Sequence, residues 1–383
     1  MHFALTEEEI MIRDTARSIA AERLAPLAPV LDRGEGRPQF LANLKYLGEQ
    51  GFMALKIGAD YDGPEAGSVA FALAVEEIGY ACAATGTTVS VTNLVGEVIQ
   101  AVGTAAQKQA HLPHLASGAY LAGSFCLTEP AAGSDPAAMQ TRARREGGEY
   151  ILDGEKIFIT SAEYADVFVV WAVTDPQAPK GKGISCFLVE AGTPGLAIGK
   201  AERKMGQAGS ATNPVSFAGC RIPAANLLGR ENDGFRIAVG ELAGGRIGIA
   251  SLSLGIARAA MDLAKAYIRE RKQFGQAIGD FQGIQWLIAD RETELEAARL
   301  LILNAAAKKD RGEPFGKEAS MAKLYASETA QRCTDTALQL HGGSGYLQDY
   351  NVERLARDAR LTRLYEGTSE IQRLIIARDV LRQ

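Results

Sequence analysis

Cysteine is scarce in this chain, with five in 383 residues (Cys82, Cys126, Cys186, Cys220 and Cys333) and none in a Cys-x-x-Cys spacing. That leaves a disulfide framework, a thiolate zinc site and a dithiol redox motif without support, and an odd set of scattered thiols suits a reducing compartment. Histidine is scarcer still, at four. His111 and His114 bracket Pro113, read here as a helix-end loop, and no ligand set for a metal emerges. No long Lys/Arg block occurs, and the net charge is −5, so nucleic acid is not an expected partner. The densest basic run, Arg354, Arg357, Arg360 and Arg363, has a spacing of three and is broken by Asp358, which reads as a salt-bridging helix edge. No run approaches the roughly 20 uninterrupted apolar residues of a membrane span. The opening Met1-His2-Phe3-Ala4-Leu5-Thr6-Glu7-Glu8-Glu9 is acidic and has no apolar h-region, which reads as cytoplasmic. Only two tryptophans occur, Trp171 and Trp286, both assigned to the core.

What is present is a length suited to two or three domains, with 47% hydrophobic and 23% charged residues. Residues 1–120 read as helices. Thr6 with Glu9 forms a capping box that opens the first of them. Further helices are expected near 39–49, 68–78, 90–102 and 105–116. Residues 121–230 change texture. Asp153-Gly154 sits between β-rich runs like a hairpin turn, and short strands are expected at 167–173, 184–189, 196–199 and 214–217. Strands without intervening helices imply an antiparallel sheet or barrel. Residues 231–383 return to longer helices at 234–271, 281–310, 317–340, 349–364 and 369–381, a bundle. The fold class is therefore α+β, in helical, β and helical domains.

Three stretches carry chemistry. Glu366 follows an Arg-rich helix and precedes Gly367 and a new helix start, where Ser369 with Gln372 has the form of a capping box. A carboxylate in such a break is well placed to act as a base, though a surface turn would look the same. Cys126-Leu127-Thr128-Glu129-Pro130-Ala131-Ala132-Gly133-Ser134-Asp135 can bring backbone N–H groups to a ligand. Gln339-Leu340-His341-Gly342-Gly343-Ser344-Gly345-Tyr346 follows a helix rather than a strand, a poor match to a dinucleotide fingerprint, and no Walker loop is present.

Together with Arg271-Lys272-Gln273-Phe274-Gly275 and Gly245-Arg246-Ile247-Gly248-Ile249-Ala250, these stretches resemble the acyl-CoA dehydrogenase flavoproteins, over essentially the whole chain and in the same order. The short-chain (butyryl-type) branch is the nearest in pattern. The resemblance implies FAD as cofactor, lined by Phe125, Leu127, Thr128 and Ser134, with Phe158, Ile159 and Thr160 against the flavin ring. It places Arg271, Phe274, Gln282, Gln339, Gly342 and Gly343 at the adenine and pyrophosphate end, from a neighbouring subunit, and adds Thr368 and Glu370. Ser134, Arg246 and Gly367 would touch the acyl-CoA. His341 would pack near the cofactor.

The implied reaction is α,β-dehydrogenation of a short-chain acyl-CoA, branched groups included, with Glu366 as base and an electron-transfer flavoprotein as acceptor. A homotetramer is the implied assembly. Some branches carry the base just before the residue matching Arg246. Gly245 stands there and cannot act, while Glu241, one turn away, reads as a solvated or paired side chain. The chain departs from the pattern at Phe158, where Trp is common, at Ala208, where Arg is common, and at Ala243, where Asp is usual. Two other readings keep the fold: an O₂-using oxidase or monooxygenase, and a flavin-free scaffold subunit.

Overall fold

The computed structural model describes residues 4–382, so Met1-His2-Phe3 of the acidic opening lie outside the described residues. Helix α1 (Glu7–Ile19) starts on the expected capping box: Thr6 N donates to Glu9 Oε2 at 2.7 Å and Glu9 N to Thr6 Oγ1 at 3.2 Å. Beyond one π-helical turn, Pro29 sits in the first turn of α2 (Ala28–Asp32), where its missing N–H costs nothing. Helices α3 (Arg37–Glu49), α4 (Gly67–Ala81), α5 (Ala83–Val102) and α6 (Ala105–Ala116) complete the N-terminal region. Pro113 lies inside α6, not in a loop after it. His111 is buried there with Nδ1 3.2 Å from the Tyr120 hydroxyl.

Eight strands follow: β1 (Gly123–Cys126), β2 (Arg142–Glu146), β3 (Glu149–Thr160), β4 (Val167–Val173), β5 (Ile184–Glu190), β6 (Leu196–Ile198), β7 (Thr212–Pro223) and β8 (Leu227–Leu228). Their order is β6-β7-β3-β2-β4-β5-β8, with β1 on β4. Pairing is antiparallel except at β1/β4 and at the single β2/β4 pair, so the antiparallel expectation needs that correction. The path also ends at β6 and β8 instead of closing. A second correction concerns Asp153-Gly154, which turns nothing. β3 runs straight through it, and the chain reverses earlier, at Gly147-Gly148, where Glu146 pairs Glu149. Gly154 marks a slip in the β3/β7 register. A side chain there would lie 2.6 Å from Thr141 Oγ1, while Asp153 Oδ1 accepts from Gly219 N at 2.7 Å. A bulge with close backbone approach uses glycine for the same reason that a turn does.

Alternation along β4 explains how the sheet sits. Val167, Val169 and Trp171 face α5 and α6, whereas Phe168, Val170 and Ala172 face β3 and β7 across the sheet's own interior. Both faces are buried, which is why the strand reads as a continuous apolar run.

The C-terminal region holds α7 (Gly234–Glu270), a two-strand ribbon of β9 (Lys272–Gln273) and β10 (Gln276–Ala277), α8 (Gln282–Asp310), α9 (Gly316–His341), α10 (Val352–Leu361) and α11 (Ser369–Leu381). α10 begins after Asn351, whose φ of +58° breaks the helix expected from residue 349. Its basic edge is ion-paired as expected where Arg357 meets Asp32 and Glu353. α7 is long and apolar enough to cross a bilayer by composition, but 83% of its apolar window is buried in the protein. It is the core helix, packed on α4, α5, α8 and α9. Close approach to α4 needs Gly255, where a side chain would lie 2.7 Å from Tyr80 N. Trp171 is fully buried and donates Nε1–H to the Gly234 carbonyl at 2.8 Å, but Trp286 is 62% exposed on α8 and is not a core residue.

Candidate functional site

Helix α5 is the spine on which the three regions meet. Thr92 Oγ1 accepts from Gly123 N of β1 at 3.4 Å, and Thr88 Oγ1 lies 3.1 Å from the Tyr164 hydroxyl after β3. Thr87 Oγ1 donates to Gln207 Oε1 at 2.7 Å and lies 3.4 Å from the Tyr365 hydroxyl. Gln207, in the loop between β6 and β7, is tied to α10 by its backbone N–H on Asp358 Oδ1 and its Nε2 on the Asp358 carbonyl. The residue after Tyr365 is Glu366.

Glu366 holds a left-handed backbone, φ +56°, followed by Gly367 at +89°. Such a turn is costly for a side chain other than Gly or Asn, and it is held from two sides. Lys323 Nζ, buried on α9, donates to the Gly367 carbonyl at 2.8 Å. Gln372 Nε2 on α11 donates to the carbonyls of Glu366 (3.1 Å) and Gly367 (2.9 Å). The expected Ser369/Gln372 capping box is therefore absent. Thr368 is the N-cap, accepting from Ile371 N at 3.3 Å, and the Ser369 hydroxyl donates to Glu328. The reason is one of register: Thr368 occupies the extended cap position, so Gln372 falls a residue too far along to close the box and instead secures the turn.

The Glu366 carboxylate lies over Gly245 of α7. A methyl at Gly245 would overlap Oε2 and sit 3.0 Å from Cδ and 3.1 Å from Leu94 Cδ2 of α5. The helix position that cannot supply a base is thus the space into which Glu366 reaches. Its Oε2 is buried with no hydrogen-bond partner. Burial drives its pKa up to about 7, against the opposing pull of Arg246, Lys323 and Lys56. Arg246 is buried, with Nη1 3.4 Å from Ser320 Oγ and Nε unpartnered. Glu241 departs from expectation: it is half-buried, has no ion pair, and burial pushes it up to about 7.

The residues expected around a flavin divide into two groups. Near β1 and β3, Phe158 stands 64% exposed at φ +57°, Ser134 is exposed, and Thr128 and Thr160 are half-buried. The carbonyl of Thr128 accepts from Ile157 N, and that of Thr160 from the Ser124 hydroxyl. Leu127 and Ile159 differ from these in what they present. Their side chains are buried in the two cores flanking the sheet, leaving only backbone to offer a ligand. Phe125 packs at 4.3 Å on Trp171. Residues the sequence left unassigned hold this loop: Glu129 Oε1 accepts from buried Lys156 at 2.7 Å and from Thr141 N at 3.0 Å. The acid in the loop and the lysine in β3 were both visible, but no motif flagged their pairing.

The second group lies elsewhere. Arg271, Phe274 (95% exposed), Gln282, Gln339, Gly342 and Gly343 sit at the far end of the bundle, where Tyr267 stacks on buried His341 at 4.4 Å and donates to Ser344 Oγ at 3.3 Å. From Arg246 to the end of α7 at Glu270 is 24 residues, or about 36 Å at the helical rise. One chain therefore does not bring this group to Glu366. Thr368 and exposed Glu370 adjoin the Glu366 turn. Phe158 in the first group and Phe274 and Tyr346 (89%) in the second are exposed, and Gly133, Gly342 and Gly343 have open space about them, so each group separately presents an aromatic ring and bare backbone to a ligand.

Two helical regions flanking a sheet, with an unpaired carboxylate oxygen buried against the core helix and aromatic rings exposed elsewhere on the surface, form the architecture of a flavin-dependent dehydrogenase. The chain belongs to the acyl-CoA dehydrogenase family: models of that family's N-terminal, middle and C-terminal domains match residues 6–119, 124–220 and 232–381. It is accordingly an FAD-dependent oxidoreductase. It is 43% identical to a short-chain specific acyl-CoA dehydrogenase of Clostridium acetobutylicum, over all of both chains. It is 46% identical to an acryloyl-CoA reductase (NADH) of Anaerotignum propionicum, over 100% of this chain and 97% of that one. The solved butyryl-CoA dehydrogenase of Megasphaera elsdenii superposes with a TM-score of 0.96 at 38% identity, covering both chains completely.

Proposed function

We propose that the protein catalyses α,β-dehydrogenation of a short-chain acyl-CoA, straight or branched, with Glu366 as the base that removes the α-proton. The observation that carries this reading is the Glu366 carboxylate, seated in the space that Gly245 leaves, with its Oε2 buried and unpartnered. A thioester α-proton is weakly acidic, so its removal near neutral pH needs a base of raised pKa and a means of stabilising the enolate charge. Burial supplies the first, bringing the carboxyl up to about 7. Two fixed side-chain donors, on Lys323 and Gln372, hold the Glu366-Gly367 carbonyls, which leaves backbone N–H groups of the turn to face a thioester oxygen. Arg246 adds a buried positive charge beside the carboxylate. FAD, when bound, accepts the β-hydride.

Thr128, Ser134, Phe158 and Thr160 would hold the flavin end, with the backbone of Leu127 and Ile159. Arg271, Phe274, Gln282 and Gln339–Gly343 of a second copy would hold the other end, in keeping with their distance from Glu366 and with a homotetramer. An electron-transfer flavoprotein would take the electrons. A carboxyl titrating near 7 can also return a proton, so the same site supports the reverse, reductive direction suggested by the acryloyl-CoA reductase relative. Anaerobic bleaching of the bound flavin by butyryl-CoA tests the reading. Wild-type protein bleaches and Glu366→Gln does not; full bleaching by the variant would remove Glu366 from the mechanism. Hydrogen peroxide produced at the turnover rate without an added acceptor would instead favour an oxidase, and a protein that takes up no FAD would point to a scaffold.

A further inference from the structure

One residue before the Glu366 seat on α7, and so on the neighbouring side of the helix, lies a buried charge cluster that the reaction does not use. Gly244 is the next glycine. A methyl there would sit 2.7 Å from Lys309 Nζ and 3.0 Å from Glu97 Oε2. Glu97 follows Leu94 by three residues on α5, so it shares the helix face that touches the Glu366 seat. Its two oxygens are taken separately, Oε2 by Lys56 and Oε1 by Lys309. Lys56 and Glu97 are both more than nine-tenths buried. Lys56 also lies 3.9 Å from the centre of the Phe71 ring.

The cluster is unbalanced. Two ammonium groups share one carboxylate, and neither lysine has another hydrogen-bond acceptor among the described residues, although each carries three donors. Glu241, the other acid nearby, makes no ion pair with them. A purely structural buried pair costs desolvation and is stabilising only when its donors are satisfied. Here donors are left over beside the seat of the base, and burial lowers the Lys56 pKa to about 8 against the pull of Glu97. An apolar acyl tail ending against this cluster would strip water from the lysines and return nothing.

We propose that the acyl site selects a short acyl group whose far end carries a carboxylate, received by Lys56 and Lys309. Gly244 opens the helix wall between the base and the cluster. Leu94, which touches the seat of the base, and Glu97, in the cluster, lie three residues apart on α5, about 4.5 Å along its axis, a span that a five-carbon acyl chain with its terminal hydrogen bond bridges beyond the reacting carbons. This rests on the base reading above, so the test separates the two. In the Glu366→Gln holoenzyme, which binds without turnover, flavin absorbance titrations compare glutaryl-CoA with pentanoyl-CoA, equal in carbon count and differing in terminal charge.

The expected result is at least tenfold tighter binding of glutaryl-CoA, with the ratio collapsing to near unity or inverting in Lys56→Met and Lys309→Met built on the same background. Should Lys56→Met fail to fold, Lys309→Met and the unaltered cluster still give the ratio. Equal or tighter binding of pentanoyl-CoA overturns the proposal, as does preference for 5-aminopentanoyl-CoA, which would assign the tail to Glu97 and Glu241. A charge preference in binding that persists while Glu366→Gln still bleaches with glutaryl-CoA supports this proposal and rejects the base assignment.

Discussion

Two glutamates of one chain, each with a buried carboxylate oxygen, have opposite fates. Glu129, under the loop after β1, accepts from Lys156, from Thr141 N and from Gln140 N; burial alone would raise its pKa, but Lys156 and these donors hold it below the ordinary value. Glu366 is half-buried as a residue, but its Oε2 is buried without a donor, and its pKa rises to about 7. The positive charges near it, Arg246 and Lys323, spend their hydrogen bonds on Ser320 and on the Gly367 carbonyl. A satisfied carboxylate is a structural tie; an unsatisfied one is available for a proton. The difference in donors separates two residues of the same type.

The comparison breaks most sharply at Glu366 itself. Glu366→Gln should slow flavin bleaching by butyryl-CoA by about 10²–10⁴-fold, the usual contribution of a positioned base; stopped-flow rates within tenfold of wild type would contradict it. Next is Lys156→Met, which turns Glu129 into a carboxylate like Glu366. It should cost about 3–5 kcal/mol in denaturant unfolding, since removing one partner strands the other, and weaken FAD retention, whereas Glu366→Gln should do neither.

The same contrast has a pH signature. Glu366 is raised in the fold above its unfolded value of 4.5, so the fold holds the proton more tightly and the group's favourable contribution, full below that value, is lost as pH rises to about 7. Glu366→Gln should therefore be more stable than wild type above pH 7, by up to about 3 kcal/mol, and the gap should close below pH 5. Wild-type bleaching rates should climb through pH 7 as the base ionises. Gly245→Ala comes next: a methyl displacing the carboxylate should slow bleaching by about 10²-fold with little change in stability. Smallest is Tyr365→Phe, which loses the hydroxyl between Thr87 and Gln207 and should cost about 1 kcal/mol.

Helices with clear period and caps were legible: Thr6 with Glu9 and the ends of α6 appear where the pattern put them. Gly154 was misread because a bulge and a turn ask for the same residue, and only the register against β7 tells them apart. Trp286 was misread because apolar bulk alone does not say which face of α8 is buried. Within the site, Glu366, Arg246 and Phe158 were visible as residues. The Lys156–Glu129 tie, the Lys323 clamp and the Lys56–Glu97–Lys309 cluster join residues 27 to 212 positions apart, and no local pattern reports such pairs.

The amino-acid sequence alone determined where the helices and strands lie, that sheet follows helices and helices follow sheet, and which family's motifs the chain carries, because those follow from periodicity and short-range spacing. Only the tertiary structure decided that Gly245 is the seat of the Glu366 carboxylate and that this carboxylate, unlike Glu129, is left without a donor. Burial and hydrogen-bond satisfaction depend on every element that packs around a group, and those elements come from distant parts of the chain.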